Sequence, residues 1–190
     1  MSTARKETTG GTLLVADDPA APLLVFIHGG YWQALSAADS LYLAPAALAA
    51  GWSYAAVEYT IAPAGTLPSM VDECRAALAT LAGLVAPAQV VLAGHSAGAH
   101  LAAMVSLVGP SPVPIARTVL VSGVFDLQPV RYTLMQPLLQ IDDDVVSGRA
   151  PRIDYEYRIV MPGEPAPRWI LTRAQSFPGP DGRPLRAAGA

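Results

Sequence analysis

Histidine and cysteine are both scarce in this sequence, and the two shortages narrow the chemistry open to it. Cys74 is the only cysteine among 190 residues, so no disulfide can close within the chain. Only three histidines are present, which limits the candidates for a neutral-pH proton carrier to His28, His95 and His100. Charge is sparse as well: 14% of residues are charged and the net charge is −3. That leaves no broad basic surface, and nucleic acid is not an expected partner. Apolar runs stop well short of the roughly 18 to 20 residues that span a bilayer. The opening MSTARKETTGG has no apolar core of the kind a signal peptide carries. These absences lead to an expectation of a cytoplasmic protein without membrane association. What is abundant is hydrophobic side chain, at 52%, the opposite of a disordered composition.

The apolar residues are arranged as an α/β pattern. Residues 12–16 suit a short strand. Residues 23–27 (LLVFI) form a continuous apolar run ending in His28-Gly29-Gly30, as a strand buried on both faces does. Ser36 and Asp39 resemble a capping box. They open a helix expected to run to Ala50, kinked at Pro45 and stopped by Gly51. A strand over Ser53–Tyr59 follows. Between Ser69 and Val85, the residues Met70, Cys74, Ala77, Leu78, Leu81 and Val85 recur at helical spacing, which makes Cys74 a core residue. A strand over Gln89–Ala93, a helix over Ala97–Leu107 and a strand over Thr118–Val121 complete the pattern. Strands alternating with helices imply a parallel sheet with right-handed crossovers. The expected organisation is a core over residues 1–148 and a poorly patterned tail over 149–190. Prolines recur in the tail at Pro151, Pro162, Pro165, Pro167, Pro178, Pro180 and Pro184. Short strands are expected there at Tyr155–Val160 and Trp169–Thr172, before a loose end (PGPDGRPLRAAGA).

Two motifs carry chemistry. Gly94-His95-Ser96-Ala97-Gly98 fits G-x-S-x-G, a turn that holds a serine between a strand and a helix. The flanking glycines let strand and helix approach without clashing side chains. The helix start then offers N–H groups to a developing oxyanion. The bare pattern is weak, but here an apolar strand precedes it and a helix follows. His28-Gly29-Gly30-Tyr31-Trp32 also follows a buried strand. Its glycines expose backbone N–H groups that supply the rest of an oxyanion hole; a plain Gly-Gly turn is the alternative. Tyr31 and Trp32 either line a pocket or pack over the loop.

FIHGGYW, YTIAPAGTLPSMVDECRAAL, VVLAGHSAGAHLAAM and SGVFDLQPV together resemble the α/β-hydrolases that include serine-type kynurenine formamidases and related carboxylesterases. The resemblance covers about residues 22–148. It implies an α/β-hydrolase fold and hydrolysis of an N-formyl amide or carboxylic ester, with a small molecule as partner and no metal or organic cofactor. It also implies Ser96 as nucleophile, with the N–H groups of Gly29, Gly30, Tyr31 and Ala97 as the oxyanion hole. The chain departs from the family at both ends. Little room is expected for the family's first strands. The region beyond the fourth core strand, where the family places its acid and then its histidine, does not match.

The missing base is the central functional question, because serine is a poor nucleophile without one. His28 is expected to brace the oxyanion loop and His95 to point away from Ser96. His100 shares a helical face with Ser96, but a base must reach the serine from the substrate side. Asp126 is the candidate acid, at the carboxyl end of a strand, with a turn-bracing role as the alternative. Asp181 reads as a tail turn. Asp142, Asp143 and Asp144 read as a solvated helix start rather than a metal cluster. Three accounts stay open: a truncated or frame-shifted hydrolase, a non-catalytic binding protein that keeps the pocket, and an enzyme completed by a histidine from a partner chain. A sheet ending early would also leave an unpaired edge that invites self-association.

Overall fold

A computed structural model describes residues 4–107, 111–127, 129–141, 155–159, 168–172, 174–178 and 184–189. Its core is a six-stranded sheet formed by β1 (Ala4–Thr8), β2 (Gly11–Val15), β3 (Leu23–Ile27), β4 (Ser53–Val57), β5 (Val90–His95) and β6 (Ile115–Val121). The strand order is β1-β2-β4-β3-β5-β6. The pairs β4–β3, β3–β5 and β5–β6 are parallel, whereas β1–β2 and β2–β4 are antiparallel. Every residue of β4 is buried, and so are four of the five in β3. Strands covered on both faces read as unbroken apolar runs, which is why β3, β4 and β5 stand out in the sequence.

The first strands correct one expectation. There is room before β3 for a complete hairpin, with Ala4 paired to Val15 and Thr8 to Gly11. β1 (ARKET) is mostly exposed, and its Arg5 and Glu7 side chains pair with each other. Charged, exposed residues are a common protection for an edge strand. At the opposite end, the outer edge of β6 pairs with no other described strand, and Val119 and Val121 are 40% and 45% exposed.

The helices lie close to where they were expected, with altered starts. Ser36 and Asp39 do form a capping box: the Ser36 N–H donates to the Asp39 carboxylate at 2.9 Å. They open a 3-10 segment, Ala37–Leu43, rather than an α-helix. Helix α1 (Ala44–Ala49) begins afresh with Pro45 in its first turn. A proline there costs nothing, because that N–H has no intrahelical partner, so Pro45 starts a helix instead of kinking one. Helix α2 (Leu67–Gly83) starts two residues early because Thr66 caps it, accepting from the Ser69 N–H at 3.3 Å. Its buried face includes Met70, Cys74, Ala77, Leu78 and Leu81, as the periodicity predicts. Val85 lies beyond the helix. Burial pushes the Cys74 thiol up, as expected of a core residue rather than a reactive one. Helix α3 (Ala97–Leu107) follows β5 directly, and eight of its eleven residues are buried.

The chain divides into two compact units. One comprises Met1–Phe125 with Pro137–Gln140, and the other Asp126–Gln136 with Ile141–Ala190. The first holds the sheet. The second contains two antiparallel strand pairs, β7 (Tyr155–Ile159) with β8 (Arg168–Thr172), and β9 (Ala174–Pro178) with β10 (Pro184–Gly189). The end of the chain, expected as a loose tail, therefore contains a paired strand. Among the described residues no helix is long and apolar enough to cross a membrane.

Candidate active site

Ser96 sits between the last residue of β5 and the first of α3. Its φ is +54°, a left-handed conformation that costs a non-glycine residue about 1 to 2 kcal/mol. Three contacts hold it there. The Ser96 N–H donates to the Val121 carbonyl at 2.8 Å, and its own carbonyl accepts from Ala99 and His100 at 3.0 and 3.2 Å. The flanking glycines are sterically obligatory. A Cβ on Gly94 would strike the Gly98 carbonyl, and a Cβ on Gly98 would strike the carbonyl oxygens of Ile27 and His28. The turn therefore packs directly on the end of β3, where the second motif begins.

That second motif is a left-handed loop. Gly30, Tyr31 and Trp32 have φ of +98°, +52° and +60°. The Gly30 carbonyl accepts from both Gln33 and Ala34 at 3.0 Å. Gly29 lies against the elbow: a Cβ there would fall 3.3 Å from the Ser96 Cβ and 2.9 Å from the His95 carbonyl. Among the described residues, the N–H groups of Gly29, Gly30, Tyr31 and Ala97 donate to no backbone carbonyl. Two strained segments thus meet where Gly29 lies against Ser96. Strain concentrated in this way is typical of sites where geometry serves chemistry.

The three histidines are accounted for separately. His28 is buried; its ring stacks on Tyr59 with centroids 4.3 Å apart, and its Nδ1 lies 2.9 Å from the Gly29 carbonyl. The Tyr59 hydroxyl donates to the carbonyls of His28 and Gly29. Burial lowers the His28 pKa, although the Glu58 carboxylate lies 3.7 Å from Nε2. The ring braces the loop from beneath. His95 is exposed, and its Nδ1 flanks Gly29. His100 is buried in α3 and meets the Trp32 indole edge-on, with centroids 5.4 Å apart. Trp32 is fully buried, so it packs over the loop and presents no face to an open pocket. Among the described residues, no hydrogen bond connects any of these rings to the Ser96 hydroxyl.

Desolvation pulls the His100 pKa down to about 4. Its proton therefore binds the unfolded chain better between pH 4 and 6.5. The stability linked to this group is complete above pH 6.5 and is lost as pH falls towards 4. Lowering the pH from 7 to 5 should cost about 2 kcal/mol through this residue. Urea midpoints of the wild type and His100→Gln at the two pH values would show it, with the smaller pH dependence in the variant.

Asp126 belongs to the second compact unit, outside the one that holds Ser96. Asp142, Asp143, Asp144 and Asp181 lie outside the described residues. Among the described residues no group of three or more histidine, cysteine, aspartate or glutamate side chains is placed to hold a metal ion. The contact the sequence reading missed is that between Trp32 and His100. Nothing in local spacing signals it, since the two rings come from different motifs.

A mostly parallel sheet in this order, with a strained serine between β5 and a helix, defines a class of protein. A family model described as the alpha/beta hydrolase fold matches residues 24–174, and the chain belongs to that family. Among curated proteins it is 36% identical over 141 residues to the kynurenine formamidase of Danio rerio, covering 72% of this chain and 48% of that protein. It is 35% identical to the kynurenine formamidase of Salmo salar, covering 68% and 46%. The chain thus spans about half the length of the curated relatives it matches. Among solved structures, a protein assigned as a thioesterase from Silicibacter aligns with a TM-score of 0.65 at 30% identity, covering 74% of this chain and 55% of the other. A bacterial heroin esterase aligns with a TM-score of 0.50 at 26% identity, covering 62% and 43%.

Proposed function

We propose that this chain carries the nucleophile and oxyanion hole of a serine hydrolase for an N-formyl amide or a carboxylic ester. The observation that carries this reading is the approach of Gly29 to Ser96, which brings a left-handed loop against a serine in a strained turn. In the scheme, the Ser96 Oγ attacks the carbonyl carbon and its proton passes to a base. The carbonyl oxygen becomes an oxyanion held by the N–H groups of Ala97 and the Gly29–Tyr31 loop. Collapse of the tetrahedral intermediate expels the amine or alcohol, which takes up a proton. Water then releases formate or another carboxylic acid from the acyl-serine. Similarity to kynurenine formamidases supports the formamide arm, and similarity to esterases the ester arm.

Among the described residues no hydrogen bond links a proton acceptor to the Ser96 hydroxyl. His28 is committed to its loop, and His100 is buried behind Trp32. We therefore infer that turnover by the chain is impaired. A non-catalytic binding role for the retained site is the second reading, and the same observation favours it. An alkyl fluorophosphonate tests the assignment of the site without requiring turnover. Peptide mapping should find the phosphonyl group on Ser96, forming slowly and absent from Ser96→Ala. A folded chain modified only at other hydroxyls would remove the hydrolase-site reading.

A further inference from the structure

Ser96 has a second left-handed serine as its neighbour. Ser122 has a φ of +50°, is exposed, and stands at the bend that follows β6. The two serines are linked across the pair β5–β6. His95 is the register partner of Val121, and the Ser96 N–H donates to the Val121 carbonyl at 2.8 Å. Neighbouring strands lie about 4.8 Å apart, so Ser122 stands about one strand spacing from the nucleophile, at the carboxyl edge of the sheet. Ligands bind at that edge in open α/β sheets. A Cβ on Gly123 would strike the Phe125 ring, so the chain folds back directly after Ser122. Glycine would adopt the Ser122 conformation without strain, and an exposed serine gains no burial from it. Strain kept at such a residue points to use rather than to packing.

The strand order says on which side of Ser96 this second serine lies. β5 runs between β3 and β6. The Gly29 loop follows β3 and Ser122 follows β6, so the two flank Ser96 from opposite sides. With the carbonyl oxygen of a substrate turned towards the Gly29–Tyr31 donors, the other substituents of the carbonyl carbon lie on the β6 side. In an N-formyl amide one of these is only a hydrogen atom, and the other is the scissile nitrogen with its N–H. A serine hydroxyl can accept from that N–H. A formate ester has an oxygen in the same place, which brings no hydrogen and is itself a weak acceptor.

We propose that Ser122 contacts the substrate: its hydroxyl accepts the scissile N–H and favours N-formyl amides over the matching formate esters. This rests on the serine-hydrolase reading above and decides between its two arms. Ser122 forms no covalent bond in this role and takes up no proton. It holds the leaving nitrogen beside Ser96.

Protection of Ser96 from an alkyl fluorophosphonate tests this on the full chain without requiring turnover. N-benzylformamide and benzyl formate differ only in carrying NH or O at the scissile position. In the wild type the formamide should halve the labelling rate at about fivefold lower concentration than the ester, which is the worth of one hydrogen bond. Ser122→Ala should bring the two concentrations together by weakening the formamide alone. Ser122→Gly removes the same hydroxyl while relieving the left-handed backbone, so it keeps the comparison open if alanine disturbs the bend, and it should behave alike. Equal protection by the two compounds in the wild type, none included, would overturn the proposal. So would a formamide preference that both variants retain, or variants that slow labelling without changing the ratio. In each of those cases a labelled Ser96 leaves the hydrolase reading standing. A folded wild type that is never labelled at Ser96 would overturn that reading and this inference together.

Discussion

Gly98→Ala should unfold the chain at markedly lower urea, while Gly83→Ala should leave it unchanged or slightly stabilised. The two glycines differ in what an added methyl group meets. At Gly98 it would overlap the carbonyl oxygens of Ile27 and His28. Both are backbone atoms at the end of the central strand β3, so neither can rotate aside. Relief would require α3 to lift from the sheet or the Gly29 loop to shift. A forced methyl in a packed core costs about 1 to 3 kcal/mol and more where backbone must move. A loss of about 3 kcal/mol corresponds to a fall of roughly 1 to 2 M in the urea midpoint. At Gly83 an added Cβ meets nothing within 4 Å. There the lost chain entropy of glycine is the main term, and alanine should gain up to about 1 kcal/mol. Equal midpoints for the wild type and Gly98→Ala would mean that the elbow does not pack on β3 as described.

That clash also shows why the centre of the fold was legible in the sequence and its margins were not. Residues 23–27 and 90–93 are apolar without alternation because both faces of those strands are covered, and the glycines of both motifs follow directly from the close approach of their backbones. β1 left no such mark. Its ARKET sequence pairs along an exposed edge, where backbone hydrogen bonds rather than buried side chains define the strand. The start of α2 was misplaced because its cap, Thr66, precedes a proline that the apolar periodicity does not register. β6 begins at Ile115, three residues before the apolar run that was read as its start, because its first residues are partly or fully exposed. The brace around His28 was expected in kind but not in detail, since Tyr59 enters from β4's far end. Trp32 and His100 illustrate the limit most clearly. A contact between two motifs is a product of the fold and has no local sequence period.

The purified chain should hydrolyse p-nitrophenyl acetate feebly, and imidazole added to the buffer should raise that rate in a manner that depends on Ser96. A serine hydroxyl at neutral pH needs a base to take its proton as it attacks. The three histidines are not placed for this: one is stacked beneath the loop, one flanks Gly29, and one is buried against Trp32. The oxyanion hole alone can sustain roughly 10³ to 10⁴-fold acceleration over water in triads that have lost a member. With no base in play, Ser96→Ala should therefore change the unassisted rate little. Free imidazole can occupy the position that a triad histidine would take beside a partly exposed Ser96. It also cleaves the ester directly, and Ser96→Ala measured at the same imidazole concentrations gives that contribution. The excess in the wild type over the variant is the serine-dependent rescue, and it should grow with the unprotonated fraction of imidazole as pH rises through 7. Robust turnover without imidazole that collapses in Ser96→Ala would show instead that the protein supplies its own base. His100→Ala would then identify that base if the rate fell with it. A rate per chain that climbs with protein concentration would place the histidine on a second chain.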